Sequence, residues 1–525
     1  MSQGPDTALS DRSSARGSVV RRPELVFGLV GALGTDLGTV QEELQAALRS
    51  VAYDSGVVRI SELLSSTLSE LDPVEPLMAD LMHKGDELRR QAGADAAAAL
   101  AITKLVAERI EQNPDRSERQ AYATIIRSLK RSDEVERLRA VYGSRFILIG
   151  GWAPRDQRQA EVTRRLRAQH PNRAAGWYAQ QTAELIERDE KDASRPLGQG
   201  VRDAFELADV YVAVRPGHPL GGFMTRLIKL LFGAPFETPT RDEQAMFMAS
   251  GSGFRSSAAG RQVGAVVVDD DGEVLVTGTN EVPRAHGGQY WAEEQPDFRD
   301  FTYGQDVNDV IRLQVVSDML SRLKAAGWLS EEAGLDDEDG MARRAMGGPL
   351  SRSRVGDLLE FGRIAHAEMA CICTAARRGT AIRDCSMYTT TYPCHECARL
   401  IISAGIKKVI YVDPYPKSQV QEMFADEVTE GPGGNPENVV FEPFEGVAPR
   451  LFRAVFSMPE RRRDRVTGRY KSWNGLTASP RLLAETGTPA IGPMEDSTIG
   501  GLQDRLKSAP WGGFAKDDAS PGTSA

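Results

Sequence analysis

Two stretches of the chain carry residues that could do chemistry: IAHAEMACICTAARRG at 364–379 and YTTTYPCHECARLIISAG at 388–405. The first sets His366 and Glu368 two apart at the start of a helical pattern, and the second sets Pro393 ahead of Cys394 and Cys397, three apart. On a helix, residues three apart share a face, so both sulfurs reach one point. A place in the first turn favours the thiolate form, because the positive end of the helix dipole lies there. Proline fits just before a helix, where the amide hydrogen it lacks would go unused. One imidazole and two thiolates make three ligands, one short of tetrahedral zinc. A structural zinc is closed by four protein ligands, whereas a catalytic one keeps a position for water and can bring its pKa near seven. Glu368 is then the residue placed to carry protons.

A Cys-x-x-Cys pair alone also suits a structural half-site or a redox pair. Cys371 or Cys373 could close a four-ligand site, although both sit where a helix would pack. The added His-x-Glu, the strand between the fragments and the proline favour the catalytic alternative. His395 is expected to point away from the metal, and Cys385 to lie in the core at the start of a strand. All five cysteines fall between 371 and 397. An odd, clustered set in a chain without an export signal argues against a disulfide framework.

The elements that must position these residues can be read from pattern. Residues 1–22, rich in Ser, Arg and Gly, are expected to be disordered. Strand-like runs at 25–30, 145–149 and 209–214, separated by helical stretches, predict an α/β domain with a mostly parallel sheet over 23–245. After a break at 248–258 comes a hairpin, 263–268 returning over 273–278. Residues 330–356 read as a loop or insertion, followed by helix 365–378, strand 385–390, helix 394–404 and strand 408–412. That places a second domain over 246–475 and a flexible tail over 476–525.

The 525 residues exceed one core. No run of eighteen apolar residues is present, so no membrane span is expected, and the N-terminus lacks a signal-length apolar stretch, which makes the cytoplasm the default. Formal charge is 64 minus 74, or −10. Such a chain lacks the broad attraction on which non-specific polyanion binders rely, whereas a small anionic substrate needs only a local basic pocket.

The segments RQVGAVVVDDDGEVLVTGTNEVPR, AHAEMACI, TYPCHECARLIISAGIKKVIY and DPYPKS, in that order within 256–418, resemble the deoxycytidylate deaminases. The resemblance implies a cytidine-deaminase-like α/β/α sandwich, with a mixed five-stranded sheet and zinc held between two helix N-termini by His366, Cys394 and Cys397. It implies that Glu368 delivers protons to the pyrimidine and its departing amine. Asn280 would hydrogen-bond the sugar, or else shape the turn between Gly278 and Pro283. Arg284, His286 and Lys417 are candidates for phosphate contacts, and the backbone around Thr391 and Tyr392 for holding the base. A P-loop kinase-like half fused to such a domain is similar to the bacterial antiviral deoxycytidine-nucleotide deaminases, as are SLKRSDEVERLRAVYGSRFILIGGWAP, LIERDEKD and GQGVRDAFELADVYV. That likeness implies conversion of dCTP or dCMP to uracil forms, depletion of a phage's DNA precursors, a regulatory small RNA and a homo-oligomer.

In the first half, GLVGALGTD (28–36) lies where a phosphate loop would, with Gly28, Gly31, Gly34 and Thr35 as candidates to bind a second nucleotide. It departs from the P-loop pattern: Thr35 and Asp36 stand in place of Lys–Ser/Thr, which removes the cation that engages terminal phosphates. Kinase, nucleotide sensor and purely structural unit all stay open. The charged run at 188–192 reads as a lid or, more simply, a solvated face. Arg461, Arg462, Arg463 and Arg465, near Tyr470 and Trp473, form a basic cluster that could meet RNA or phosphate. Two rival readings of the whole are a polynucleotide-editing deaminase and a nucleotide-sensing regulator with an architectural zinc.

Overall fold

The computed structural model describes residues 22–66, 78–113, 119–190, 198–330, 338–351, 353–358, 361–413, 418–431, 435, 437–458, 460–481 and 491–508. These build two six-stranded sheets. In the first, β1 (Leu25–Val30), β2 (Asp54–Arg59), β3 (Tyr122–Leu129), β4 (Phe146–Trp152) and β5 (Val210–Ala213) run parallel in the order β5-β4-β1-β3-β2. Every residue of β1 is buried, as expected for a central strand covered on both faces. Its side chains alternate: Leu25, Phe27 and Leu29 join a core with the helices Leu37–Arg49 and Leu220–Leu231, while Val26 and Val30 face the alanine-rich helix Ala96–Gln112.

The second sheet contains β6 (Gly264–Val268), β7 (Val274–Thr279), β8 (Ser386–Thr391), β9 (Lys408–Asp413), β10 (Val428–Glu430) and β11 (Val439–Pro443), in the order β10-β11-β9-β8-β6-β7. The β6–β7 hairpin is antiparallel, β6 meets β8 antiparallel, and β8, β9, β11 and β10 are parallel. The sheet is therefore mixed, with six strands rather than five. Helices Ala367–Arg378 and His395–Ala404 cover one face, and helix Arg241–Gly253 packs on the other.

Several boundaries differ from expectation. β2 and β3 were not anticipated: β2 is a half-exposed edge strand with a polar start, and β3 lacks the alternation that marks a strand. The Arg241–Gly253 helix, capped by Thr240 and Glu243, buries Ala245, Met246 and Ala249 in a core that also contains Val266, Val268 and Tyr388, so the second unit begins near 240 rather than 246. The chain then returns to the first unit before 475. β12 (Gly446–Val447) adds antiparallel to β5, and Trp473 donates its indole hydrogen to the Phe232 carbonyl at 3.0 Å.

The predicted tail is corrected as well. Helix Ile491–Ser508 packs on the first unit, burying Leu502 and setting Glu495 against Arg109. Its three glycines and one proline hide it from pattern reading; tertiary contacts decide it. The predicted loop at 330–356 contains helix Glu338–Gly347. Residues 1–21, expected to be disordered, lie outside the described residues. Among those described, no helix is long and apolar enough to cross a membrane.

Candidate metal centre

His366 is the N-cap of helix Ala367–Arg378 and Cys394 the N-cap of helix His395–Ala404, so two helix starts converge at the C-terminal end of β8. Cys397, three residues into the second helix, is fully buried. The His366 Nδ1 atom lies 3.2 Å from the Cys394 sulfur and 3.4 Å from that of Cys397. Separations of this size suit donors sharing one ion at about 2.0–2.3 Å. All three ligand atoms lie within 4.8 Å of one another, and among the described residues the group stops at three. Cys371 instead points its thiol at the Ala265 carbonyl of β6, Cys373 is exposed and Cys385 sits in the core. One imidazole and two sulfurs fit zinc with a coordination position to spare.

The charges suit that ion. Cys394 is pulled down to about 4, first by its hydrogen bond with Cys397 and then by His366, against the opposing effect of burial. Cys397 moves the other way, because it donates to Cys394 and is buried. His366 rises to about 9, chiefly through its hydrogen bond with Cys394. Glu368 is 4% exposed; burial, and then the Cys394 thiolate, push its carboxyl above the usual range. Its Oε2 atom lies 3.5 Å from the Cys397 sulfur and its Oε1 atom accepts from the Thr389 hydroxyl at 3.4 Å. A buried carboxyl beside three metal ligands is placed to pick up and return protons.

The sequence did not single out what holds this group. Thr389 orients Glu368. Gly278 on β7 admits the first turn of the His366 helix, since a Cβ there would lie 2.1 Å from the Ala367 carbonyl oxygen. Glu281 pairs its backbone with Ala365 in both directions, at 3.2 and 3.1 Å, fixing the approach to His366. Only the hairpin's Gly-Thr-Asn-Glu run hinted at any of this.

The Asn280 side chain binds its own domain: Oδ1 accepts from the Val263 amide at 2.7 Å and Nδ2 donates to the Arg261 carbonyl at 2.8 Å. It ties the entry of β6 to the exit of β7. Arg284 pairs with Glu294, His286 is exposed with φ 68°, and Lys417 lies outside the described residues. The Tyr392 amide is taken by the Asp413 carbonyl at 2.7 Å. His395 is half-buried.

In the first unit, Gly28 falls inside β1, paired with Ile126 and Leu148, so it is a packing position and not part of the turn. Gly31, Gly34 and Thr35 do form the turn between β1 and the Leu37 helix. Gly34 has φ +90°, and a Cβ there would lie 2.5 Å from the Arg158 carbonyl oxygen. Carboxylates of the chain itself occupy the amides a phosphate would use. Asp36 caps Gly38 and Thr39 at 3.0 and 3.2 Å, and buried Asp189 accepts from the Leu33 amide at 2.6 Å. Lys130 from the end of β3 neutralises Asp189 at 2.5 Å. The 188–190 part of the charged run is thus no solvated face: Arg188 binds buried Asp86 and Glu190 binds Arg158, at 2.9 and 2.8 Å; Lys191 and Asp192 lie outside the described residues. The cluster Arg461, Arg462, Arg463 and Arg465 sits on a surface loop where Arg463 bridges Tyr470, while Trp473 turns inward.

A three-ligand zinc centre with a buried glutamate on a mixed sheet defines a class, and comparison with known proteins agrees: residues 239–413 match the model of the cytidine and deoxycytidylate deaminase zinc-binding region. More particularly, the chain is 44% identical over 54 residues to the deoxycytidylate deaminase of Enterobacteria phage T2, covering 10% of this chain and 29% of that protein. The chain thus spans less than a third of that curated relative's length. Among solved structures, the dCMP deaminase of cyanophage S-TIM5 in complex with dCMP and dUMP overlaps 39% of this chain and 98% of its own at 18% identity, with a TM-score of 0.23. Shikimate kinase from Acinetobacter baumannii overlaps 41% and 97% at 13% identity, with a TM-score of 0.24.

Proposed function

We propose that this protein is a zinc-dependent hydrolase that converts deoxycytidine nucleotides, dCMP or dCTP, to the corresponding uracil nucleotides and ammonia. The observation that carries this reading is the convergence of His366, Cys394 and Cys397 on one point with buried Glu368 beside it. His366 and the two cysteines would hold the ion. Zinc, when bound, supplies the Lewis acidity that makes a water nucleophilic near neutral pH.

The chain's own residues do the rest. Glu368, oriented by Thr389, takes one proton from the attacking water and passes it to the ring nitrogen next to the reacting carbon. It then carries the second to the departing amine, so that water is consumed, a carbon–oxygen bond replaces the carbon–nitrogen bond, and ammonia leaves. Burial keeps bulk water from competing for those protons. The raised carboxyl of Glu368 suits a group that must both accept and donate.

A free nucleotide is favoured over a polynucleotide by the net charge of −10. Similarity to two-domain antiviral deaminases extends the reading to depletion of DNA precursors during infection. The test is product analysis of zinc-loaded protein given an equimolar mixture of dCMP, dCTP, CMP, CTP, deoxycytidine and a cytosine-containing oligonucleotide. The uracil forms of dCMP or dCTP are expected first; deamination of the oligonucleotide ahead of both would overturn the assignment.

A further inference from the structure

A nucleotide brings a phosphate to the metal centre, and the residues expected to meet it do not offer an unpaired cation there. Arg284 is paired with Glu294, His286 is exposed, and Lys417 lies outside the described residues. Arg261, Arg299 and Arg363, also near the exit of β7, are paired too, with Glu206 at 2.8 Å, Asp297 at 2.7 Å and Asp300 at 2.9 Å. Arg255, just after helix Arg241–Gly253, is different: among the described residues it forms no ion pair.

Its contacts are uncharged. Nη2 donates to the side-chain oxygen of Gln289 at 3.2 Å, and the guanidinium carbon lies 3.9 Å from the centre of the Trp291 ring. Stacking on an indole face leaves the in-plane edge of the guanidinium open to hydrogen bonds. Nη1 makes no hydrogen bond among the described residues and, unlike Nε, is not closed off from solvent. Glu281 and Glu294 are the carboxylates near enough to act on this charge, and both are engaged elsewhere. Glu281 accepts from the Ser257 amide and hydroxyl at 2.9 and 2.6 Å, and Glu294 from Arg284 and the Trp291 amide. Burial disfavours the charged form of Arg255 by more than those two carboxylates support it. A half-buried cation in that position gains from any anion that can reach its open edge.

The guanidinium is also tied to the ledge from which the His366 helix starts. Gln289 donates to the Thr279 and Glu281 carbonyls at 2.6 and 3.2 Å, on either side of Asn280. The Ser256 hydroxyl donates to the Asn280 carbonyl at 2.7 Å, and Glu281 bridges by its backbone to Ala365, the residue before His366. Through Gln289 and Glu281, Arg255 is thus joined by hydrogen bonds to the segment that carries a metal ligand.

Building on the deaminase reading, we propose that Arg255 binds the 5′-phosphate of the substrate through its open guanidinium edge, backed by Trp291, and thereby makes the enzyme select nucleotides over nucleosides. The group bound is the phosphate nearest the sugar. That phosphate is common to dCMP and dCTP and missing from deoxycytidine, so both nucleotides depend on Arg255 and the nucleoside does not.

The test is equilibrium binding of dCMP, dCTP and deoxycytidine to zinc-loaded, full-length Glu368→Gln protein, in which turnover is removed, with and without Arg255→Gln. The added substitution should weaken dCMP and dCTP about ten- to a hundredfold, the loss of a charge-assisted contact, with zinc content unchanged. Deoxycytidine should bind the parent far more weakly than dCMP does, and no more weakly once Arg255 is replaced. Arg255→Lys should recover part of the loss, because the charge returns without the planar fork. With Glu368 intact, Arg255→Gln should raise the KM for dCMP by a similar factor while kcat stays within about threefold. Undiminished dCMP affinity in Arg255→Gln would overturn the assignment, as would no binding of dCMP to the parent. An equal weakening of deoxycytidine would overturn it too, since that marks a merely structural role. Ammonia release is read separately: protein that binds dCMP in this Arg255-dependent way yet releases no ammonia sinks the deaminase reading and leaves the phosphate contact standing.

Discussion

Cys394 and Cys397 share a helix start but are pushed in opposite directions by the hydrogen bond between them, the first toward the thiolate and the second toward the thiol. A cation arriving there meets a sulfur already favoured as the anion and displaces protons from the His366 imidazole and the Cys397 thiol. Removing either sulfur leaves two ligands, too few to retain zinc in competition with water. Cys397→Ala should accordingly lose its metal, read by elemental analysis after gel filtration, while still folding, because the side chain lost is small. That both cysteines, His366 and Glu368 come together was legible from spacing, since a helix start fixes where such residues point. Thr389 was not, because a threonine in a strand is ordinary until its hydroxyl is seen 3.4 Å from the Glu368 carboxylate.

At the scale of elements, the metal centre depends on how closely the His366 helix approaches the sheet. Gly278→Ala places a methyl where only 2.1 Å separates it from a backbone oxygen of that helix, and backbone cannot swing aside as a side chain can. The variant should lose about 1–3 kcal/mol of stability by denaturant titration and retain less zinc than wild type. The elements bearing the motif were readable to within about two residues, Ala367–Arg378 against an expected 365–378 and Ser386–Thr391 against 385–390. Long apolar helices with glycine stops leave strong signals. β2, β3, β10 and β11 went unread because each is short, edge-lying or without alternation, and pairing alone makes it a strand. The turn after β1 was found, yet its electrostatics were hidden, since Asp189 reaches it from 156 residues away.

At the scale of the molecule, the chain is threaded back through its first unit. Arg109 donates to both oxygens of Glu495 at 2.7 and 3.0 Å, and Tyr142 donates to the same carboxylate at 3.0 Å. Glu24 holds the other edge of Arg109 at 3.1 Å and also pairs with Arg119. Breaking a buried pair by removing one charge costs about 3–5 kcal/mol, because the partner stays buried and uncompensated. Glu24 shares that charge, so Glu495→Gln should fall at the lower end of this range by urea unfolding, with zinc content unchanged. Nothing in a linear reading couples residue 109 to residue 495, and a Gly- and Pro-containing C-terminus reads as a tail until this pair is seen. The most direct trial of the central claim is ammonia release from dCMP and dCTP by zinc-loaded protein, with wild type and Glu368→Gln compared at equal metal content. Turnover should depend on zinc in the wild type and fall by about 10²–10⁴-fold in the variant with the metal retained. Comparable rates from the two proteins, or no ammonia from wild type at full zinc occupancy, would contradict it.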